Sequence, residues 1–113
     1  MPFVNFKTNK VLTDVEKADL KSSLGKFISI LPGKSESWLM VEIEDSRELY
    51  FRGTNDLAAM VEVKIYGGAS SNSLNSFTKA ITDFVSSKLN IDSSRIYVSY
   101  FGTNDWGYDG SNF

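Results

Sequence analysis

The sequence predicts a two-layer α+β domain, in which two β-α-β units build one four-stranded sheet with two helices on one face. Three observations predict it. Leu20, Leu24, Phe27, Ile28 and Leu31 recur at three- and four-residue spacing, as on the buried face of an amphipathic helix. Ala59, Val61, Val63 and Ile65 alternate, as on one side of a strand. A constant shift then carries Phe77, Ile81, Phe84 and Val85 onto Leu20, Leu24, Phe27 and Ile28. Past the helix the shift grows by one, pairing Leu89 with Leu31 and Ile96 with Trp38. One strand–helix–strand design is used twice, which predicts an internal pseudo-two-fold. A crossover helix joins parallel strands, so each unit contributes one parallel pair.

Each element has a local reason. Pro2–Lys7 reads as the first strand. Thr13 and Glu16 have the spacing of a capping box, in which the hydroxyl and the carboxylate satisfy each other's backbone N–H. The helix that follows runs to about Leu31, where Pro32-Gly33 stops it. Trp38–Glu44 reads as the second strand, and Arg47–Phe51 as a short strand after an Asp45-Ser46 turn. Gly53–Asp56 is a loop and Leu57–Tyr66 a strand. Gly67–Asn72 is a turn with candidate caps, and the second helix spans about Asn72–Leu89. Ile96–Phe101 is the last strand, before a tail from Trp106 to Phe113. In the second strand Trp38 and Met40 alternate with Leu39, Val41 and Ile43, and both sets are apolar. Two helices cover only one face, so the sheet is expected to pack against copies of itself.

The chain has 113 residues, which suits a single domain over 1–113. Hydrophobic residues make up 42% and aromatics 13%, a globular composition. Twelve Lys and Arg oppose 14 Asp and Glu without a basic cluster, so no nucleic-acid partner is expected. No apolar run is long enough for membrane insertion, and no basic start followed by an apolar stretch suggests a cleavable signal peptide. There is no Cys and no His. Disulfides, thiol nucleophiles, Cys/His zinc sites and His-based triads are therefore excluded. Acid–base chemistry is left to carboxylates, Lys, Tyr and the N-terminal amine.

That elimination draws attention to Pro2. Initiator Met is usually trimmed before so compact a residue, which would leave a secondary amine aimed by the fixed φ of the ring. Burial disfavours the charged form of an amine, so such a group can serve as a base near neutral pH. The plainer reading is a Pro at the first position of an edge strand, where its missing N–H costs nothing. Lys34 has two readings as well: an anion ligand, or a solvated cation at a helix C-terminus. Tyr97 suits either a pocket wall or strand packing, and Trp38 either a ligand contact or the core. Gly67-Gly68 with Ser70 lacks the rest of a phosphate loop and reads as a tight turn. Glu42, Glu44 and Asp45 lack oxygen-cage spacing, so no metal is expected.

Several stretches together resemble the macrophage migration inhibitory factor family of the tautomerase superfamily. They are Met1-Pro2-Phe3-Val4, Leu31-Pro32-Gly33-Lys34, Phe51-Arg52-Gly53-Thr54-Asn55, Gly67-Gly68, Arg95-Ile96-Tyr97-Val98 and Gly107-Tyr108-Asp109-Gly110-Ser111-Asn112-Phe113. They follow one another in order over essentially the whole chain. The resemblance implies a homotrimer whose three sheets form a central barrel. It implies cofactor-free keto–enol tautomerase activity on aromatic α-keto acids such as phenylpyruvate and on dopachrome-type compounds. It also implies a protein found in the cytoplasm, exported without a signal peptide, and acting as a cytokine at a cell-surface receptor. A non-catalytic signalling protein that binds its receptor through the trimer surface is the alternative.

Carried over to this chain, the resemblance makes Pro2 the base and Lys34 the ligand of the substrate carboxylate. It gives a substrate-holding backbone N–H to Val63 and a pocket wall from the neighbouring subunit to Tyr97. Trp38, Tyr108 and Phe113 would line an aromatic slot. The chain departs from the family where Trp38 replaces a frequent Tyr, Ser99 an Asn and Tyr108 a Trp. Ser99 has no amide, so the contact an Asn side chain makes there is lost. Trp106 adds an aromatic near the mouth. The Cys-x-x-Cys of some members is missing, which excludes thiol redox activity.

Overall fold

The capping box forms as its spacing requires. The Glu16 N–H donates to Thr13 Oγ1 at 3.1 Å, and the Thr13 N–H donates to the Glu16 carboxylate at 3.0 Å. Helix α1 runs over Asp14–Phe27, and its last turn tightens into a 3₁₀ turn over Ile28–Ile30. Beyond Pro32, Gly33 takes φ +78°, a left-handed conformation that suits glycine and turns the chain back. Helix α2 spans Ser71–Leu89; Ser70 caps it by accepting from the Ser73 N–H at 3.2 Å. The computed structural model describes every residue from Met1 to Phe113.

Four strands form the main sheet: β1 (Pro2–Thr8), β2 (Met40–Glu44), β3 (Ala59–Tyr66) and β4 (Ile96–Thr103). Their order is β2-β1-β3-β4. The pairs β1–β2 and β3–β4 are parallel, while β1 and β3 meet antiparallel at the centre. This is the symmetry of the duplicated units, with the pseudo-two-fold passing between β1 and β3. Phe27 and Phe84, equivalent in the two repeats, meet edge to face at 6.3 Å between their helices. A small hairpin, β5 (Gly107–Tyr108) with β6 (Ser111–Asn112), closes the chain.

The core lies between sheet and helices. Val4, Phe6, Val61, Val63 and Ile65 from the sheet pack against Leu20, Leu24, Ile28, Phe77, Ile81 and Val85 from the helices, all fully or almost fully buried. Tyr100 ties β4 to α2, with its hydroxyl donating to the Leu74 carbonyl at 2.9 Å and lying 2.7 Å from Thr78 Oγ1.

Four expectations are corrected. The second strand begins at Met40, because Glu36–Trp38 forms a 3₁₀ turn that places the Trp38 ring against Tyr108. Arg47–Phe51 forms no strand; it makes only a bridge between Phe51 and Thr54. Two side chains take the carbonyls of this loop instead. Asn9 Nδ2 donates to Leu49, Asn55 and Asp56, and Arg95 donates to Phe51, Thr54, Asp56 and Leu57. Pro2 opens an inner strand, not an edge strand.

The uncovered face is also not uniformly apolar. The register aligns Glu42, Asn5, Glu62 and Ser99 in a polar row across it. The alternation read at Trp38 and Met40 does not continue past them: the next outward residues of β2 are Glu42 and Glu44. Asn5 Nδ2 donates to both carboxylates, at 2.7 and 3.0 Å.

The close approach at the end of β4 makes a prediction. A Cβ on Gly102 would lie against the carbonyl oxygen of Gly67, whose N–H donates to the Thr103 carbonyl at 2.7 Å. Gly102→Ala should destabilise the fold by about 1–3 kcal/mol in denaturant unfolding. Gly68→Ala, with nothing within 4 Å of its Cβ, should stay within about 0.5 kcal/mol of the parent.

Candidate active site

Pro2 sits where the sheet, the α1–β2 connection and the terminal hairpin converge. As the first residue of β1 it withholds no ladder donor that a neighbour needs. Met1 continues the pairing with β3: the Tyr66 N–H donates to the Met1 carbonyl at 3.0 Å. Next to it opens a cavity of about 350 Å³, lined by Met1, Pro2, Phe3, Ser37, Trp38, Leu39, Met40, Trp106, Gly107 and Tyr108.

The aromatic walls are set by two tight turns. The 3₁₀ turn at Glu36–Trp38 presents the Trp38 ring. In the hairpin, Asp109 and Gly110 both take positive φ, +51° and +89°, the pattern of a two-residue I′ turn. The Phe113 N–H donates back to the Trp106 carbonyl at 3.0 Å. Tyr108 and Phe113 therefore lie on one side of the ribbon, nearly parallel at 15° with centroids 6.5 Å apart. Trp38 meets Tyr108 edge-on at 5.1 Å, and Phe113 leans on Tyr66 at 5.4 Å. Trp38, Tyr108 and Phe113 each remain about half exposed, so these rings form an open slot and not a sealed core.

Lys34 reaches the same end of the sheet, where its Nζ donates to the Tyr66 carbonyl at 3.1 Å. Partial burial, reinforced by the Lys34 charge, holds the α-amine of Met1 below its ordinary value. The N-terminus thus lies in a cationic, partly desolvated corner suited to an organic anion with an aromatic ring. No three His, Cys, Asp or Glu side chains converge to hold a metal ion.

Family comparison agrees over the full length. The family model for macrophage migration inhibitory factor (MIF) matches residues 1–113. The chain belongs to the MIF family. Among curated relatives it is similar to the MIF homolog of Trichuris trichiura, 29% identical with all of both chains covered. It is 28% identical to MIF of Xenopus laevis, over 100% of this chain and 99% of that one. Among solved structures it superposes on MIF2 of Leishmania major with a TM-score of 0.92 at 29% identity, covering 100% and 97% of the two chains. It superposes on MIF of Trichinella spiralis with a TM-score of 0.86 at 26% identity, covering 98% and 99%. Two helices on a mixed four-stranded sheet are the MIF fold.

Within one MIF-like protomer the residues singled out from the sequence fall into two groups. Pro2, Lys34, Trp38, Tyr108 and Phe113 gather at one end of the sheet. Tyr97 stands at the other end, paired in register with Met60, which itself pairs with Lys7. Its ring meets Phe51 at 4.9 Å beside a smaller apolar cavity of about 170 Å³. Ser99 lies mid-strand on the uncovered face, its buried Oγ without a hydrogen-bond partner.

Val63 is fully buried, with its side chain in the core. Successive N–H groups of a strand point to opposite neighbours. Because the Tyr66 N–H points to β1, the Val63 N–H points to β4, away from Pro2. Tyr66 is the site residue the sequence reading passed over. Its signal was an aromatic at the end of a strand, directly before the Gly67-Gly68 turn.

Removing a neighbouring positive charge favours the ammonium form. Lys34→Met should therefore raise the pKa of the Met1 α-amine toward its ordinary value, with burial still holding it somewhat below. An NMR titration of protein labelled at Met1 reads the change.

Proposed function

We propose that the protein, once Met1 is removed, is a cofactor-free keto–enol tautomerase of aromatic α-keto acids of the phenylpyruvate type, with Pro2 as its base. MIF family membership supports a tautomerase or cytokine role. The observation that carries the finer reading is the position of Pro2, on an aromatic-walled cavity beside the Lys34 ammonium.

In this reading Lys34 binds the substrate carboxylate through a charge-assisted hydrogen bond. The ring enters the slot made by Trp38, Tyr108 and Phe113. The Pro2 nitrogen takes a proton from the methylene between ring and ketone. The electron pair moves into a carbon–carbon double bond, and the ketone oxygen gains the charge and then a proton. Reversal returns the proton to carbon. No electron acceptor is required, because substrate and product are isomers. Dopachrome-type compounds present the same combination of ring, carboxylate and acidic C–H.

Tyr97 and Ser99 belong to this site only through a second copy. We assign them to the wall of a neighbour's pocket in a homotrimer with its sheets around a central barrel, an assembly that puts the polar row of the uncovered face inside. A second reading is favoured by the name macrophage migration inhibitory factor carried by the curated relatives. In it the protein is exported from the cytoplasm without a signal peptide and binds a cell-surface receptor. No helix is long and apolar enough to cross a membrane.

The base can be tested directly. Processed protein, with Met1 loss verified by intact mass, should interconvert keto and enol phenylpyruvate. Pro2→Gly should lower kcat/KM by about 10²–10⁴-fold, the usual contribution of a placed base. Receptor binding that survives in this variant would assign signalling to the surface and not to the chemistry.

The pH dependence has a definite sign. Only the unprotonated amine accepts a proton, so kcat/KM should rise with pH and level off. Burial and Lys34 are the causes that lower the Met1 α-amine; Pro2, itself buried beside it, would meet both after processing, so in this reading the plateau should begin below the pKa of an ordinary α-amine. Lys34→Met should move the midpoint up and raise KM.

A further inference from the structure

We propose that Arg95 and Phe51 are positioning residues for Tyr97: the Arg95 guanidinium fixes the loop that carries Phe51, and the Phe51 ring sets the orientation in which the Tyr97 ring is offered to a neighbouring copy. The inference rests on the reading of Tyr97 as a wall of that neighbour's pocket and names what sets the wall.

The core does not hold Tyr97. Its side of β4 is open: the residue is 60% exposed and lines a cavity of about 170 Å³. Close packing, which fixes the rotamers of core side chains, is therefore missing on that side. Its one aromatic neighbour is Phe51, at 4.9 Å and 83°, the edge-to-face geometry that aromatic pairs prefer. The Tyr97 ring follows the position of Phe51.

Phe51 in turn belongs to no paired strand. A tight turn, with Arg52 at φ +56° and Gly53 at φ +79°, brings the chain back so that Phe51 and Thr54 exchange backbone hydrogen bonds of 2.9 and 3.1 Å. This turn docks on Arg95. Arg95 Nε donates to the Leu57 carbonyl at 2.9 Å. Its Nη2 is shared among the carbonyls of Phe51, Thr54 and Asp56 at 3.1, 3.3 and 3.0 Å. The same guanidinium lies over the Phe51 ring, 5.1 Å from its centroid, within cation–π range. One planar fork thus holds both the backbone and the ring of Phe51. A lysine ammonium is a compact point charge and reproduces neither contact. Asn9 holds other carbonyls of the loop, those of Leu49, Asn55 and Asp56, and donates nothing to Phe51. Arg95 precedes Tyr97 by two residues, so one short stretch of chain carries both the clamp and the ring it sets.

The test combines phenylpyruvate kinetics of the processed protein with NMR of the Tyr97 ring. Arg95→Lys and Phe51→Leu should each raise KM about three- to tenfold and keep kcat within about twofold, because a wall places the substrate while Pro2 moves the proton. Phe51→Leu keeps the carbonyls that Arg95 binds, so it removes the ring contact without freeing the loop. Neither substitution should raise KM further in a Tyr97→Ala background. Tyr100→Phe, which loses the hydrogen bonds to Leu74 and Thr78, should lower the unfolding midpoint with KM unchanged. The Tyr97 ring resonances should move in Arg95→Lys, where Phe51 is still present, and stay in place in Tyr100→Phe. An unchanged KM in Arg95→Lys and Phe51→Leu, or an equal rise without Tyr97, overturns the proposal and leaves the pocket wall standing. An unchanged KM in Tyr97→Ala removes the wall and the proposal together. A parent protein without turnover rejects the Pro2 base instead; Tyr97 resonances that then move in Arg95→Lys still support the clamp, and resonances that stay in place overturn it.

Discussion

The antiparallel pairing of β1 with β3 is the constraint on which the rest depends. It is the only contact that joins the two repeated units within the sheet, since each remaining pair lies inside one unit. Its register sets Pro2 against Ile65 and Met1 against Tyr66. The chain start is thereby carried to the last residue of β3, where Lys34 and the terminal hairpin also arrive. A one-residue slip would turn Val4, Phe6, Val61 and Val63 out of the core, so the apolar alternation that buries them also fixes the site.

Around that seam the two layers divide their work. The helix-facing side is a continuous apolar core whose repeat-related side chains interdigitate. The opposite side mixes charges, amides and aromatics, with apolar residues at its two ends and a polar row between. The end near Pro2 holds Trp38, Tyr108 and Phe113, and the far end holds Tyr97 and Phe51. A single protomer keeps these aromatic groups a strand length apart. Only another copy can bring Tyr97 to a Pro2 site, which is why the proposed enzyme is an assembly.

Much of the fold was legible because its signals are local. The Thr13–Glu16 box, the Pro32-Gly33 stop, the helical spacing from Leu20 to Leu31 and the repeat shift each encode an element through nearby residues. The Arg47–Phe51 segment was misread for the complementary reason. Its backbone carbonyls are claimed by Asn9 and Arg95, about forty residues away in either direction, and no local pattern announces that. The terminal hairpin was read only as a tail: its Asp109-Gly110 turn and the Trp106–Phe113 hydrogen bond that closes it emerged with the fold.

Residue types and their order already limit the chemistry: no thiol, no imidazole, a Pro at the second position, and a Lys after a helix stop. They also determined the duplicated architecture, because periodicity and repetition are properties of residue order. The tertiary structure alone decided which of those groups meet. Hydrogen-bond direction along β3 depends on register, and register is settled by burying one face of every strand at once. That is why Val63 points into the core and its amide toward β4, while Tyr66, unremarkable in the sequence, donates its N–H to the Met1 carbonyl beside Pro2.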